Sequence, residues 1–391
     1  SGAYSIAMGK DSKASGYAAI VLGDSSVASG TNSFVAGKFS RATAPYSVAI
    51  GYNNKATSDY ALAMGSGSRA TNLWSVAIGT SNLSSGWSST ALGLGNTASG
   101  DQSLAVGNNT RASGANTFSL GEFSLASGIS SFSSGYYCRA TNSYTYALGY
   151  LDTASGNNSY AIGDGNLASG AYSFSIGRFN KVTANYAMAL GNNSYATGAN
   201  SFTLGSYVHT NGQGGSFVLG DNSTTTRLNA SATNRFHARF NNGYYLYTAS
   251  GYGSGAYMNN GANSWSSISD STKKTEVLAV NGEDFLNKIS TMKLSSWRYK
   301  SQDNSFRHYG PMAQDFYAAF GKDSLGTIGC DTLIASADFD GVNLIAIQAL
   351  EKRTQEIETL KKENSNLKFL YSEMLIKLNS IEAKLEEKIN P

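Results

Sequence analysis

Ser47-Val48-Ala49-Ile50-Gly51, followed by a polar turn and Ala56, is one copy of a fourteen-residue motif that recurs in phase fifteen times between Ser1 and Thr210. The motif reads roughly SGxxSΦaΦGxxxxA, with Φ a large apolar residue and a a small one, and its ninth position is glycine from Gly9 to Gly205. Large residues stand at positions six and eight (Val76 and Ile78, Phe174 and Ile176), and Ala77 or Ser175 stands between them. That period of two predicts a short strand with large side chains on one face and small ones on the other. No apolar stripe at helical spacing survives the glycines and serines. Ser-Gly pairs such as Ser15-Gly16 and Ser99-Gly100 mark a second corner in each copy, where glycine is expected to supply a positive φ. A fixed period of this kind is the signature of a solenoid. At about 4.8 Å per coil the fifteen copies make a rod of about 70 Å. So thin a coil has little interior, and a homotrimer is the expected way to cover its apolar surface.

These copies resemble the head repeats of YadA-type trimeric autotransporter adhesins. The resemblance covers 1–210 and implies a trimeric, left-handed parallel β-roll. Ser84, Val182 and Thr210 replace the usual alanine, and a one-residue insertion moves the next glycine to Gly220, where the roll is expected to end.

Composition suits a fibre: glycine is high at 43 of 391 residues, proline is scarce at 3, and charged residues make up 14%. The seven acids of 1–210 (Asp11, Asp24, Asp59, Asp101, Glu122, Asp152, Asp164) are too scattered for a glycosidase carboxylate pair. A formal net charge of +3 points to neither nucleic acid nor an anionic membrane as partner, and no run of apolar residues is long enough to span a bilayer. Cys138 and Cys330 form no disulfide framework, and His209 and His237 make no metal-ligand spacing with them, so neither metal nor cofactor is expected. The chain begins inside a repeat without a signal peptide, and a fragment of something longer is expected.

From 211 to 268 the text turns aromatic and alternating, with Asn241-Asn242-Gly243 as a hairpin-like turn between Arg235–Phe240 and Tyr244–Tyr247. A β-rich stem is predicted. Beyond it, Ser269 precedes Lys274 by five residues, and a serine hydroxyl needs a base that a neutral amine can provide. Alone, that spacing means little in a chain so rich in serine. It is followed in order by Asn281-Gly282-Glu283-Asp284-Phe285-Leu286, Trp297-Arg298-Tyr299-Lys300, Arg307-His308-Tyr309-Gly310-Pro311-Met312-Ala313-Gln314-Asp315 and Asp338-Phe339-Asp340-Gly341-Val342-Asn343. The ordered set resembles the intramolecular chaperone domain of endosialidase tailspikes and other trimeric fibres, a self-cleaving peptidase family.

That second resemblance implies that Ser269 attacks the carbonyl of Ile268, that Lys274 is the base, and that a fragment starting at Ser269 is released. Asp270 completes the family's Ser-Asp-x-x-x-Lys pattern. Lys273, at an offset of four, competes as base, and Tyr309-Gly310-Pro311 departs from the family's aliphatic flanks. His308 reads as a hydrogen-bonded core or interface histidine ahead of a catalytic one, and Gln314 with Asp315 as structural partners of a nearby loop. The chain closes with a heptad pattern, Leu350, Ile357, Asn364, Tyr371, Leu378 and Leu385 at a and Leu360, Leu367, Met374 and Ile381 at d, which predicts a coiled coil.

The expected architecture is therefore mainly β: a trimeric parallel β-roll over 1–210, a β stem over 211–268, a small α+β chaperone and auto-processing domain over 269–342, and a coiled coil over 343–391. The expected function is a cell-surface or secreted adhesin, or a virion tail fibre, that self-trimerises and cleaves itself once between Ile268 and Ser269. Its outside partner would be a host-surface protein or glycan. The alternative is a carbohydrate-active or host-binding fibre whose C-terminal domain stays on as an uncleaved trimerisation cap.

Overall fold

A computed structural model describes residues 2–251, 254–323 and 326–389. Ser1 of the expected roll, positions 252–253 of the stem, 324–325 of the chaperone segment and 390–391 of the coiled coil lie outside the described residues. The chain divides into two compact units, one holding 1–244 and 259–261, the other 245–258 and 262–391.

In the first unit each repeat makes one coil with a five-residue strand, such as Val48–Tyr52, and a two-residue strand, such as Lys55–Ala56. Successive coils stack in parallel with residues fourteen apart as partners, Val48 on Leu62 and Gly51 on Gly65. Among the described residues the long strands form one seventeen-stranded sheet and the short ones a sixteen-stranded sheet. The fold is thus mainly β, a β-solenoid built from the repeat.

The interior is made of the small residues. Ala49, Ala56, Ala77 and Ala91 are 0% exposed, whereas their neighbours Val48 and Ile50 are only half-buried. Fourteen residues close too tight a loop for a leucine-sized core, so position seven accepts Ala, Ser, Thr or Val and the large side chains turn outward.

The corners differ from expectation. The Ser-Gly glycines do not take a positive φ. They are glycine because the coils approach closely there: a Cβ on Gly100 would fall on the carbonyl of Gly114. The left-handed corners come two residues later and again at repeat position eleven, where Tyr46 (φ 55°), Asn116 (φ 57°) and Phe123 (φ 53°) occupy them. Gly107 meets both demands at once, with φ 128° and the Gly121 carbonyl in the space a Cβ would need.

The parallel register also runs past Thr210. Phe202 pairs with Phe217, and Phe217 with Phe236, while Leu228 pairs with Val208 in the second sheet. Longer turns at the edge absorb the extra residues, so an insertion lengthens a coil without stopping the stack. For the same reason Asn241-Asn242-Gly243 does not close a hairpin. Gly243 N–H donates to Phe240 O in a turn at 3.0 Å, but Phe236–Arg239 belongs to the roll and Gly243–Tyr247 to a separate three-stranded sheet with Gly255–Asn259 and Ser266–Ser267.

Within the second unit, helix α1 (Gly282–Thr291) starts at Asn281, whose side chain accepts from Glu283 N at 3.1 Å. A hairpin pairs Leu294–Trp297 with His308–Pro311, and helix α2 (Ala313–Phe320) follows. Helix α3 runs from Ser336 to Ile389, earlier than the heptads alone suggest, and spans about 80 Å at 1.5 Å per residue. A small core of Phe316, Phe320 and Val342 with Phe285, Ile289 and Phe339 joins the first turns of α3 to α1 and α2. Arg353 on α3 and Glu283 on α1 form an ion pair. Beyond Ala349 every described residue of α3 is exposed, its heptad leucines included.

Candidate functional site

Ile268 is where the backbone leaves the small sheet. Its N–H donates to Gly255 O at 3.4 Å, and Ser266 and Ser267 pair with Tyr257 and Ala256. The next residues fold locally. Asp270 caps a single 3-10 turn, Ser271–Lys273, with its Oδ1 accepting from Thr272 N at 2.9 Å. Lys273 N–H then donates to Asp270 O at 3.0 Å and Lys274 N–H to Ser271 O at 3.2 Å. That tight turn returns the chain on itself, and Lys274 Nζ donates to Ser269 Oγ at 2.6 Å.

The structure thus brings Ser269 and Lys274 together, and the contact is made by Lys274 and not by Lys273. Asp270 shapes the turn, its side chain bonding to the Thr272 backbone. The hydrogen bond from the Thr272 backbone holds its carboxyl below the usual carboxylate range. Residues 269–281 are all exposed, including Val277, Leu278 and Val280, so nothing in the single chain covers the pair.

His308 and Gln314 lie elsewhere in the unit. His308 Nε2 shares a hydrogen bond with Gln302 Oε1 at 2.9 Å, and its ring stacks on Trp297 at 4.6 Å between centroids. Gln314, in the first turn of α2, lines an open groove of about 610 Å³ with Trp297, Pro311, Met312 and Leu333. Among the described residues neither bonds to Ser269 or Lys274.

Cys138 and Cys330 are both free thiols. No group of three His, Cys, Asp or Glu side chains among the described residues is placed to hold a metal ion. Nor is any described helix long and apolar enough to cross a membrane.

One functional set escaped the sequence reading. Three residues after most ninth-position glycines stands a buried Ser, Asn or Thr, such as Ser40, Asn54 and Thr110, each 0% exposed, with Cys138 and Asp152 buried at the same place in two coils. The signal was present as a polar residue at a fixed offset from glycine, but turn-like polarity hid the burial.

Two family models match the chain. The YadA head domain repeat matches in eight windows, five overlapping from 1–26 to 56–82 and three separate at 84–110, 154–180 and 183–207, and the chaperone of endosialidase matches 269–324. No curated protein matches it. Coils between 111 and 153, where no repeat window falls, keep the same parallel register, as in Phe118 on Phe132 and Phe132 on Tyr146.

A β-solenoid followed by a segment that matches a fibre-chaperone family supports a fibre-type protein. In its particulars, the chain is similar to YadA head repeats over much of 1–207 and to the chaperone of endosialidase over 269–324, an order of segments that supports an adhesin or fibre-type protein.

Proposed function

We propose that this chain forms a homotrimeric surface or tail fibre whose segment from Ser269 aligns three chains and then removes itself by serine autoproteolysis. The observation that carries the reading is the 2.6 Å contact of Lys274 Nζ with Ser269 Oγ, at the residue where the sheet's backbone pairing ends.

In the cleaving state Lys274 takes the hydroxyl proton of Ser269, and Oγ attacks the Ile268 carbonyl carbon. The amide nitrogen leaves with a proton returned from Lys274, and an ester links Ile268 to the serine oxygen. Water hydrolyses that ester, leaving Ile268 with a carboxylate and Ser269 with a free amine. An amine is a base only where burial strips its proton, and in one chain Lys274 is exposed. Assembly around the exposed 269–281 segment would supply that burial, which makes cleavage follow correct trimerisation.

The need for a helper follows from the roll itself. Each coil offers nearly the same contacts as the next, so a slip of fourteen residues costs little and register has to be imposed from outside. Once the helper is gone, the aligned roll is trapped kinetically. A glycan or protein on a host surface is the partner such a fibre would meet.

A second reading rests on the same exposure: if nothing ever buries Lys274, the C-terminal segment remains as an uncleaved trimerisation cap. Intact mass under denaturing conditions separates the two. Wild type is expected to yield fragments ending at Ile268 and beginning at Ser269, Ser269→Ala to stay whole, and Lys274→Ala to cleave slower by about 10²–10⁴-fold. An uncleaved wild-type trimer would leave only the cap.

A further inference from the structure

From Ser26 to Ser194 the residue three places after the ninth-position glycine is buried and forms one rung of a ladder inside the roll, Ser, Asn, Thr or Asp at every rung but Cys138. At Asn54, Asn82, Asn96, Asn166 and Asn180, Nδ2 donates twice, to the carbonyl four residues back and to the glycine carbonyl of the next coil. For Asn96 these are Leu92 O at 2.6 Å and Gly107 O at 2.7 Å. The amide oxygen accepts from the backbone N–H of the next rung, as Asn54 Oδ1 does from Ser68 at 2.8 Å. Serine rungs do the same with one atom, Ser40 Oγ donating to Gly51 O at 2.9 Å and accepting from Asn54 N at 3.2 Å.

Asp152 occupies one of these rungs and is 0% exposed. Its Oδ1 accepts from Asn166 N at 2.8 Å, as an asparagine oxygen does, and also lies 2.9 Å from Asn166 Nδ2. Its Oδ2 is buried without a partner. That atom stands where the other rungs carry a donor. A Cβ built on Gly149 would meet Oδ2 at 2.7 Å, as Cβ atoms on Gly79 and Gly93 would meet the amide nitrogens of Asn82 and Asn96 at 2.9 Å. At the asparagine rungs the amide nitrogen there meets two carbonyls, whose counterparts in this coil are those of Leu148 and Gly163, and the Gly163 backbone N–H opposes the effect of burial only in part. A carboxylate oxygen facing carbonyl lone pairs is repelled, and a proton between them makes a hydrogen bond instead.

No compensating charge is at hand. The rungs on either side are Cys138, itself buried, and the neutral Asn166, and no rung of the ladder is Lys or Arg. Arg139, on the adjoining short strand, has an exposed side chain. Asp164, ending the strand Tyr160–Asp164 of the next coil, adds a like charge and spends its own pairing on Arg178 at 3.1 Å. Tyr146, Tyr150 and Tyr160 on the neighbouring long strands lie at repeat positions whose side chains point away from the interior.

We propose that Asp152 is carried in the folded roll as an uncharged carboxylic acid that donates its Oδ2 proton to a ladder carbonyl, making this rung an alkali-sensitive weak point in the stack. Burial pushes the Asp152 carboxyl up from its usual value, in agreement with the geometry. The sign follows. A carboxyl whose folded pKa lies above its unfolded value, about 3.9, contributes its full stability in acid and loses it as pH rises through the folded pKa. Between the unfolded and the folded value the folding equilibrium weakens by about tenfold per pH unit for each chain, and above the folded value it levels off.

The test is Asp152→Asn, which reproduces the commonest amide rung, with Asp152→Ser as a second variant that keeps a donor. Infrared spectra of the full-length protein at neutral pH should show the carbonyl stretch of a protonated carboxyl group that is missing in both variants. Thermal unfolding from pH 4 to 9 at one scan rate should show a wild-type midpoint that falls with pH, and a flatter profile in both variants. A wild type without the band, or variants that keep the wild-type pH slope, would overturn the assignment.

Discussion

The roll and helix α3 use large apolar side chains in opposite ways. In the roll they frame an interior that small residues have already filled: Ala63 and Ala105 are fully buried, while Leu62 and Leu104 beside them are half-covered by the coils above and below. Along α3 nothing is covered past Ala349, and Leu360 and Leu367 are 61% and 66% exposed. The contrast shows where each region gets its order. Every coil satisfies its backbone through the next coil of the same chain, so the roll is locally self-sufficient. A helix of 54 residues with an open heptad seam is complete only against other helices.

The largest effect should come from the open seam. Replacing Leu360 and Leu367 together by Asp leaves the buried contacts of a single chain untouched, yet charge at two d positions should dissociate the proposed trimer. Sedimentation equilibrium would read that loss of mass. A trimer that survived would move the trimerising surface to the roll.

Next in size is a paired test of one chemical change in both regions. Gly107→Ala puts a methyl group against the Gly121 carbonyl at φ 128°, and roughly 3–5 kcal/mol of destabilisation is expected from overpacking and strain combined. Gly341→Ala, in the first turns of α3 with open space around it, should stabilise by about 1 kcal/mol. Denaturant titrations followed by circular dichroism decide both, and equal signs would break the comparison.

The smallest pair contrasts a buried polar group with an exposed one. Asn96→Ala strands the carbonyls of Leu92 and Gly107 inside the roll, at a cost of about 2–3 kcal/mol. Arg353→Ala removes an ion pair that water already screens, and should move the melt far less. Reversed magnitudes in thermal melts would show that the ladder carries less of the roll than its burial implies.

Much of this was readable in the chain. The fourteen-residue period carried the solenoid, because a strand repeated at fixed spacing can satisfy its backbone only by stacking. Ser269 and Lys274 were readable as a pair through the ordered motifs around them. The corner chemistry was not, because both kinds of glycine look alike in sequence: one is required by φ and the other by the nearness of a neighbouring carbonyl. The polar ladder was hidden for a similar reason, since Ser and Asn after a glycine read as a solvated turn.

By itself, then, the sequence determined the repeat, the face on which each side chain lies and the order of the segments, all of which depend on spacing along one chain. Only the tertiary structure decided that the small face is the interior, that the stack continues past the insertion to Phe236–Arg239, and that Asp152 rather than a surface acid is the buried one. Those depend on how closely coils fourteen residues apart approach, a distance set by the stacking.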